Sequence, residues 1–337
     1  MNTFSKIAVL SVLPFISSVA SAADAPNLAE RAAAEYLNLA KYPEWTLPVP
    51  AGAPNPILSE REPDVVTRPG PNGAGPALSV WAGEVRYQRG DTVELFARLD
   101  NRASNDADIL TTPSADAKGP WTVNGEVVNQ NDDTLVSLSF ADDGKGADET
   151  AGDGIYSASY TLGEVGQPAV GQATSLGFRV TAENDAQEQR VAMNGFQYSH
   201  PAAVLTGKFT DRIVEGNLVI AAQVDVVNAG RVHLSGVINN PLGESLVIAQ
   251  ASAVLAEGEQ WIELPVYGLP LREAGVIGAL SLGAVTLTTT QGMPNALGEV
   301  LVDAHTTKAL LPTVFTDKPF GRGALLEAAA RLNAIAQ

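Results

Sequence analysis

Short stretches of alternating apolar and polar residues recur along most of this chain, and each has the length of a β-strand. The clearest one covers 92–99, where Val93, Leu95, Ala97 and Leu99 fall on one face and the other residues on the opposite face. Period-two alternation is typical of a half-buried strand. Candidate strands are 78–81, 92–99, 121–123, 135–140, 155–162, 175–181, 190–196, 208–210, 218–227, 231–238, 245–255, 260–266 and 277–290.

The strand pattern pauses at His200-Pro201 and then starts again with a second set that is richer in Val, Ile and Leu. Many short strands with no helical period between them favour antiparallel sandwiches of immunoglobulin-like size. The sequence therefore predicts an all-β fold with two tandem Ig-like β-sandwich domains, residues 77–200 and residues 201–311.

Both ends of this β region carry helical patterns. Apolar residues recur at helical spacing over 27–40, and a tail stripe predicts a helix within 312–337. The stripe consists of Leu325, Leu326, Ala329, Leu332 and Ile335. Between residues 43 and 76 prolines are frequent, and proline fixes φ and removes a donor. We expect that part of the N-terminal segment, residues 23–76, to be extended and non-helical, either wrapped on a neighbouring domain or serving as a linker.

Residues 1–22 have the pattern of a secretory signal peptide. Lys6 supplies the positive charge, an apolar stretch follows, and Ala20-Ser21-Ala22 supplies the small residues before a cleavage site. The apolar stretch is too short for a membrane anchor, which needs about 20 residues. No later stretch is long and apolar enough to span a membrane. We expect cleavage before Ala23 and a periplasmic or secreted location.

The amino-acid composition excludes some classes of binding partner and site. The 337 residues carry 21 Lys and Arg against 38 Asp and Glu, a net charge of −17, which disfavours nucleic-acid binding. The absence of cysteine excludes disulfides, thiolate metal sites and thiol nucleophiles. The expected partner is an envelope or extracellular protein or a glycan.

An acidic, glycine-rich segment, residues 142–156, carries the most local chemistry. Asp142, Asp143, Asp148 and Asp153 could supply the oxygen ligands that calcium prefers, so calcium is the candidate cofactor. The spacing does not match an EF-hand. Aspartates beside glycines also form turns that satisfy their own backbone. The sequence leaves both interpretations open, a calcium site and a self-satisfied turn.

The run DDG…D…AGDGIYS in this segment resembles a motif of bacterial extracytoplasmic Ig-like modules, including the choice-of-anchor X modules. Residues 230–290 together with MPNALGEVLVDAHTT, residues 293–307, resemble the secreted DUF4785 family. The resemblance covers residues 76–310. It implies Ig-like β-sandwich domains and export, and it implies no catalytic residues.

Residues with catalytic chemistry are sparse. His200, His233 and His305 are far apart in sequence and fit no zinc motif, and no Gly-x-Ser-x-Gly motif is present. His233 and His305 could converge only through tertiary contact.

Four tryptophans are candidates for a sugar-binding platform, namely Trp45, Trp81, Trp121 and Trp261. Ile262 and Leu264 share the face opposite to Trp261, which is therefore either exposed or packed at the seam between domains. We expect an exported, non-catalytic binding or structural protein. The alternative is an enzyme of hydrolase type, or its accessory domain, with a site built from distant loops.

Overall fold

The computed structural model of the chain describes residues 28–70, 76–100, 121–290, 292 and 294–336. The predicted signal peptide, residues 1–22, and the cleavage site before Ala23 lie outside these ranges.

Strands dominate the described residues, as the alternation predicts. The helices are α1 (Leu28–Leu39), α2 (Pro56–Ser59), α3 (Gly268–Glu273) and α4 (Gly323–Ala336), with a 3-10 turn at Pro312–Val314. The strands are β1 (Thr46–Pro48), β2 (Val66–Arg68), β3 (Ala77–Ala82), β4 (Arg86–Gln88), β5 (Thr92–Asp100), β6 (Trp121–Val128), β7 (Thr134–Phe140), β8 (Ile155–Thr161), β9 (Gln172–Asn184), β10 (Gln189–His200), β11 (Ala203–Val214), β12 (Asn217–Val226), β13 (Gly230–Asn239), β14 (Ser245–Leu255), β15 (Gly258–Val266), β16 (Gly278–Thr289) and β17 (Ala296–Leu310). The all-β prediction is confirmed, and each predicted strand overlaps an observed one.

The first sandwich packs a five-stranded sheet, β4-β10-β9-β6-β7, against a four-stranded sheet, β2-β3-β5-β8. Its strand pairs are antiparallel except for β4 with β10, which run parallel. Val93, Leu95 and Leu99 of β5 are buried against Phe178 and other residues of the facing sheet, as their alternation predicts. Burying a side chain of this size contributes about 1.5–3 kcal/mol.

The second sandwich packs the sheet β1-β14-β13-β16-β17 against the three-stranded sheet β11-β12-β15. Its core takes residues from both sheets, among them Ile220 and Leu264 on one side and Leu234 and Leu287 on the other. Residues 218–224 of the central strand β12 are buried on both faces, and the outer face of this sheet exposes Trp261 and polar side chains of β11 and β15.

The two cores meet where the chain leaves β10 at His200 and enters β11 at Ala203. Ser199 Oγ accepts a hydrogen bond from Leu297 N at 3.3 Å. Gln172 and Asn295 form an isolated antiparallel β-bridge. Residues 42–318 form one compact unit that contains both cores. The division into two domains at this position stays a prediction.

The proline-rich segment is partly helical, which corrects the expectation of a non-helical stretch from residue 43 to residue 76. Asn55 Oδ1 accepts hydrogen bonds from Ile57 N at 3.0 Å and Leu58 N at 3.4 Å. Pro56 occupies the first turn of α2, where its missing N–H is not needed. The segment also adds β1 to the second sandwich and β2 to the first, so it runs along both.

The longest described strand, β17, was not predicted from the alternation. Its burial does not alternate strictly, because its pairing with β16 shifts register at three places. Each shift moves the following side chains relative to the two faces of the sheet. A period-two search therefore misses this strand.

The second compact unit contains α1 and α4, which pack against each other. Ala33 of α1 and Ala329 of α4 are buried, and Phe320 N donates to Lys41 O at 2.9 Å where the two segments meet. The predicted tail helix is confirmed, although Leu326 and Ile335 of its apolar stripe are exposed. Among the helices in the described ranges, none has the length and apolar run needed to cross a membrane.

Candidate functional site

The acidic segment forms the loop between β7 and β8, and glycines with positive φ let it fold back on itself. Gly152 and Gly154 have φ of +77° and +87°. Their N–H groups donate to the two carboxylate oxygens of Asp142, at 2.6 Å and 3.0 Å. The left-handed backbone that glycine allows therefore aims two donors at one side chain.

Asp148 closes the other half of the loop. Its carboxylate accepts from Gly144 N at 2.5 Å and from Thr150 N at 3.1 Å, and the residue is only 5% exposed. Asp153 Oδ1 accepts from Ile155 N at 2.8 Å. Backbone donors thus fix the orientation of all three carboxylates, as a self-satisfied turn requires.

Carboxylate oxygens of Asp142, Asp148 and Asp153 lie within 4.8 Å of one another. Asp143, the fourth predicted ligand, does not join them, because its carboxylate pairs with Lys145 Nζ at 3.1 Å. Each carboxylate oxygen has two lone pairs, and a backbone N–H occupies one of them on both oxygens of Asp142 and Asp148 and on Oδ1 of Asp153. The remaining lone pairs could serve a hard cation such as calcium, which takes oxygen ligands in flexible geometry.

A groove of about 630 Å³ lies beside this loop. The stacked rings of Trp81 and Phe96, with centroids 5.5 Å apart, line it together with Glu94 and Glu149. These rings are neighbours across β3 and β5, so no local sequence pattern could have placed them next to the loop.

The three histidines lie in separate places, each with its own partner. His200 Nδ1 is 3.0 Å from Pro168 O, His233 Nδ1 is 2.9 Å from Ser252 Oγ, and His305 Nε2 is 2.7 Å from Asp211 Oδ1. Burial lowers the pKa of His233 below its ordinary value of 6.5.

His233 and His305 do not converge, although they belong to the same sheet. His233 pairs with Thr288 of β16, and His305 pairs with Leu282 of that strand. Six residues along a strand separate them by about 20 Å. A metal ion cannot take both as ligands.

The tryptophans divide into buried and exposed pairs. Trp81 and Trp121 are buried, whereas Trp45 is 39% exposed and Trp261 is 48% exposed. Trp261 lies on the outer face of β15, opposite to the buried Ile262, as the alternation predicts. It is therefore available to solvent rather than packed at the seam between the cores.

A cleft of about 440 Å³ lies between the sandwiches and takes its lining from β4 and β17. Three arginines line it, and each is matched by a glutamate. Arg61 pairs with Glu84, Arg86 lies 3.7 Å from Glu60, and Arg89 lies 2.8 Å from Glu164. Since these carboxylates balance the arginines, the cleft has no excess of positive charge with which to hold an anion.

Several solved structures resemble this chain. A DUF4785 family protein from Legionella pneumophila is 18% identical, with 71% of this chain and 58% of that chain covered and a TM-score of 0.44. This chain spans 58% of that protein's length. The adhesin InvE of Yersinia pseudotuberculosis is 10% identical, with 55% and 57% covered and a TM-score of 0.21.

A tetra-tandem repeat from the extending region of a large adhesion protein is 14% identical, with 72% of this chain and 55% of that chain covered and a TM-score of 0.23. No protein-family model and no curated protein matches the chain. Because all three TM-scores are below 0.5, the function proposed for this chain rests on its own residues.

Proposed function

We propose that this chain is an exported, non-catalytic binding and structural protein of the bacterial cell envelope or secretome. The observation that supports this most directly is that the groups of side chains able to act as acids, bases or metal ligands lie apart from one another. The three histidines and the carboxylate cluster occupy four separate places, and each group is hydrogen-bonded to its own neighbours.

Catalysis of hydrolysis needs a base, an orienting group and a stabiliser of developing charge around one reacting atom. The pairs observed here serve the fold instead. His305 joins two facing sheets through Asp211, and His233 joins two neighbouring strands through Ser252. Side chains used in this way support a rigid scaffold that presents its surface to a partner.

Calcium enters this proposal as a structural ion of the loop between β7 and β8. Asp142, Asp148 and Asp153 repel one another when ionised, and a cation bound among them offsets that repulsion. The loop joins strands of opposite sheets of the first sandwich, so a bound ion would tie those sheets together. The competing interpretation is a turn that its backbone donors already satisfy.

A panel of chromogenic esters, phosphate esters, glycosides and peptides tests the absence of catalysis. We expect the wild-type chain and the folded variants His305→Ala and Asp148→Asn to give the background rate. Turnover by the wild type that falls at least tenfold in one folded variant, but not in Asp143→Asn, would indicate the alternative function, a hydrolase.

Fractionation of the native host tests export. We expect the chain in the periplasm or the medium, with Ala23 as its first residue by intact-mass analysis. Full-length protein confined to the cytoplasm and retaining Met1 would contradict the proposed location.

A further inference from the structure

We propose that the outer face of the sheet β11-β12-β15, centred on Trp261, binds a neutral saccharide chain. This inference rests on the proposed function, since it names the ligand class of a binding protein. We define the Trp261 face as Trp261 with its polar neighbours Thr206, Arg212, Gln223, Glu259 and Glu263.

Strand alternation places the indole of Trp261 in solvent. Ile262, Leu264 and Val266 are buried in the core of the second sandwich, so the odd-numbered side chains of β15 point outwards. Trp261 is 48% exposed. The neighbouring strand β12 places Gln223 directly opposite Trp261.

A chain of hydrogen bonds holds the polar side chains on one flank of Trp261. Thr206 Oγ1 donates to Gln223 Oε1 at 3.0 Å, and Gln223 Nε2 donates to Glu259 Oε2 at 3.3 Å. Gln223 is only 8% exposed, so its amide is fixed by packing as well as by these bonds.

An ion pair holds the other flank. Arg212 Nη2 donates to Glu263 Oε1 at 2.6 Å across the intervening strand β12. The small side chain of Ala221, which lies opposite Glu263, leaves room for this pair to cross. Glu259 and Glu263 each lie two residues from Trp261, which is about 7 Å along the strand.

This arrangement matches the two kinds of surface on a pyranose ring. The ring's C–H face is apolar and packs on an exposed indole. Its hydroxyl groups both donate and accept. The flank of Arg212 and Glu263 offers a guanidinium donor beside a carboxylate acceptor, and on the other flank the buried amide of Gln223 orients the acceptor Glu259. Side chains already ordered by one another lose less entropy when a ligand binds.

The charged side chains of the Trp261 face favour neutral saccharides over anionic ones. Asp225 lies opposite Glu259, so Asp225, Glu259 and Glu263 outnumber the two cations of this face, Arg212 and Lys208, and the remaining negative charge disfavours uronates or sulfated glycans. Glu259 and Glu263 are already engaged by Gln223 and Arg212. We therefore expect the face to form hydrogen bonds with neutral hydroxyl groups rather than to bind a cation.

Isothermal titration of the full mature chain tests this inference. The probes are the neutral hexasaccharides of cellulose, chitin, starch and laminarin, with oligogalacturonate as the anionic and oligolysine as the cationic comparison. We expect at least one neutral probe to bind, with affinity at least tenfold weaker in Trp261→Ala and partly retained in Trp261→Phe. Gln223→Ala should weaken binding as well.

Trp45→Ala is the matched control, because it removes an exposed tryptophan that precedes β1 of the other sheet. It should bind like the wild type, and circular dichroism should show the same fold for every variant.

Four outcomes would overturn the saccharide surface. These are binding of no neutral probe, binding of oligolysine alone, equal affinity in Trp261→Ala, and self-association that depends on Trp261 in analytical ultracentrifugation. Mass spectrometry of the incubated probes separates the two proposals. Cleavage of a probe would contradict the non-catalytic function, whereas failure to bind contradicts only the saccharide surface.

Discussion

His305 Nε2 donates a hydrogen bond to Asp211 Oδ1 across 2.7 Å, joining β17 of one sheet to β11 of the sheet that faces it. Both side chains are half-buried, and Phe209 packs beside the imidazole with ring centroids 6.2 Å apart. The pair lies at an edge of the second sandwich, because β11 and β17 are the end strands of their sheets. His305 therefore connects the two sheets.

Removing this connection should destabilise the second sandwich. Hydrogen bonds to charged groups contribute about 1.5–3 kcal/mol, and partial exposure places this one at the lower end. We expect His305→Ala to lower the free energy of unfolding by about 1–2 kcal/mol in urea titrations at pH 7. Asp211→Ala should cost a similar amount, and the double variant should cost less than the sum. Additive losses would show that the two residues stabilise the fold independently.

Gly268, at the start of α3, should be intolerant of any side chain. A Cβ built there would lie 1.9 Å from the carbonyl oxygen of Gly216, and that backbone cannot move without disturbing β12. We expect Gly268→Ala to lower the free energy of unfolding by about 3 kcal/mol, the upper end of the usual range for overpacking. Gly163→Ala is the matched control, since its Cβ meets no atom within 4 Å and should change stability little. Equal melting temperatures for the two variants would contradict this account.

The sequence predicts which face of its own strand a side chain occupies. It does not predict which side chains of other strands lie beside it. The outward orientation of Trp261 follows from its own neighbours, because period two needs only a few residues. Its polar neighbours Gln223 and Thr206 come from β12 and β11, and no pattern in β15 indicates them. Likewise, the four aspartates of the loop look equivalent in sequence. Glycine-directed N–H groups then orient Asp142 and Asp148 inwards, while Asp143 turns to Lys145.

His233 should make stability depend on pH between neutral and mildly acidic solution. Burial lowers its pKa in the folded state, while the unfolded chain titrates near 6.5. Its cross-strand neighbours, Ser252 and Thr288, are uncharged, so neither supplies a negative charge that would offset the effect of burial on the imidazolium. The unfolded state then binds more protons than the folded state between the two pKa values, so stability rises with pH in that window.

The contribution of His233 is fully present above pH 6.5 and is lost as the pH falls through the folded pKa. We expect His233→Gln to have a flatter dependence of the urea midpoint than the wild type between pH 7.5 and pH 5. His200→Gln provides the comparison for a histidine outside this sheet. Identical slopes for the wild type and His233→Gln would show that the imidazole carries no such linkage.

Calcium should stabilise the fold if it occupies the loop between β7 and β8. An ion that binds only the folded state adds RT ln(1 + [L]/Kd), about 1.4 kcal/mol at a tenfold excess over Kd. Extracellular modules bind calcium with Kd of about 10⁻⁴–10⁻³ M, so melts in chelator and at up to roughly 10 mM calcium cover the range. Magnesium should stabilise less, because it demands a tighter octahedral shell than a flexible loop forms.

Two asparagine variants separate a bound ion from a general effect of salt. Asp148→Asn removes a charge from the group of three carboxylates, and Asp143→Asn removes one from the same loop but outside that group. Asp148→Asn lowers stability in chelator by itself, because an amide offers only one oxygen to the two N–H donors that Asp148 binds. The increment produced by calcium is therefore the quantity to compare. It should be lost in Asp148→Asn and kept in Asp143→Asn, and an unchanged wild-type midpoint at 10 mM calcium would leave all four aspartates as residues of a self-satisfied turn.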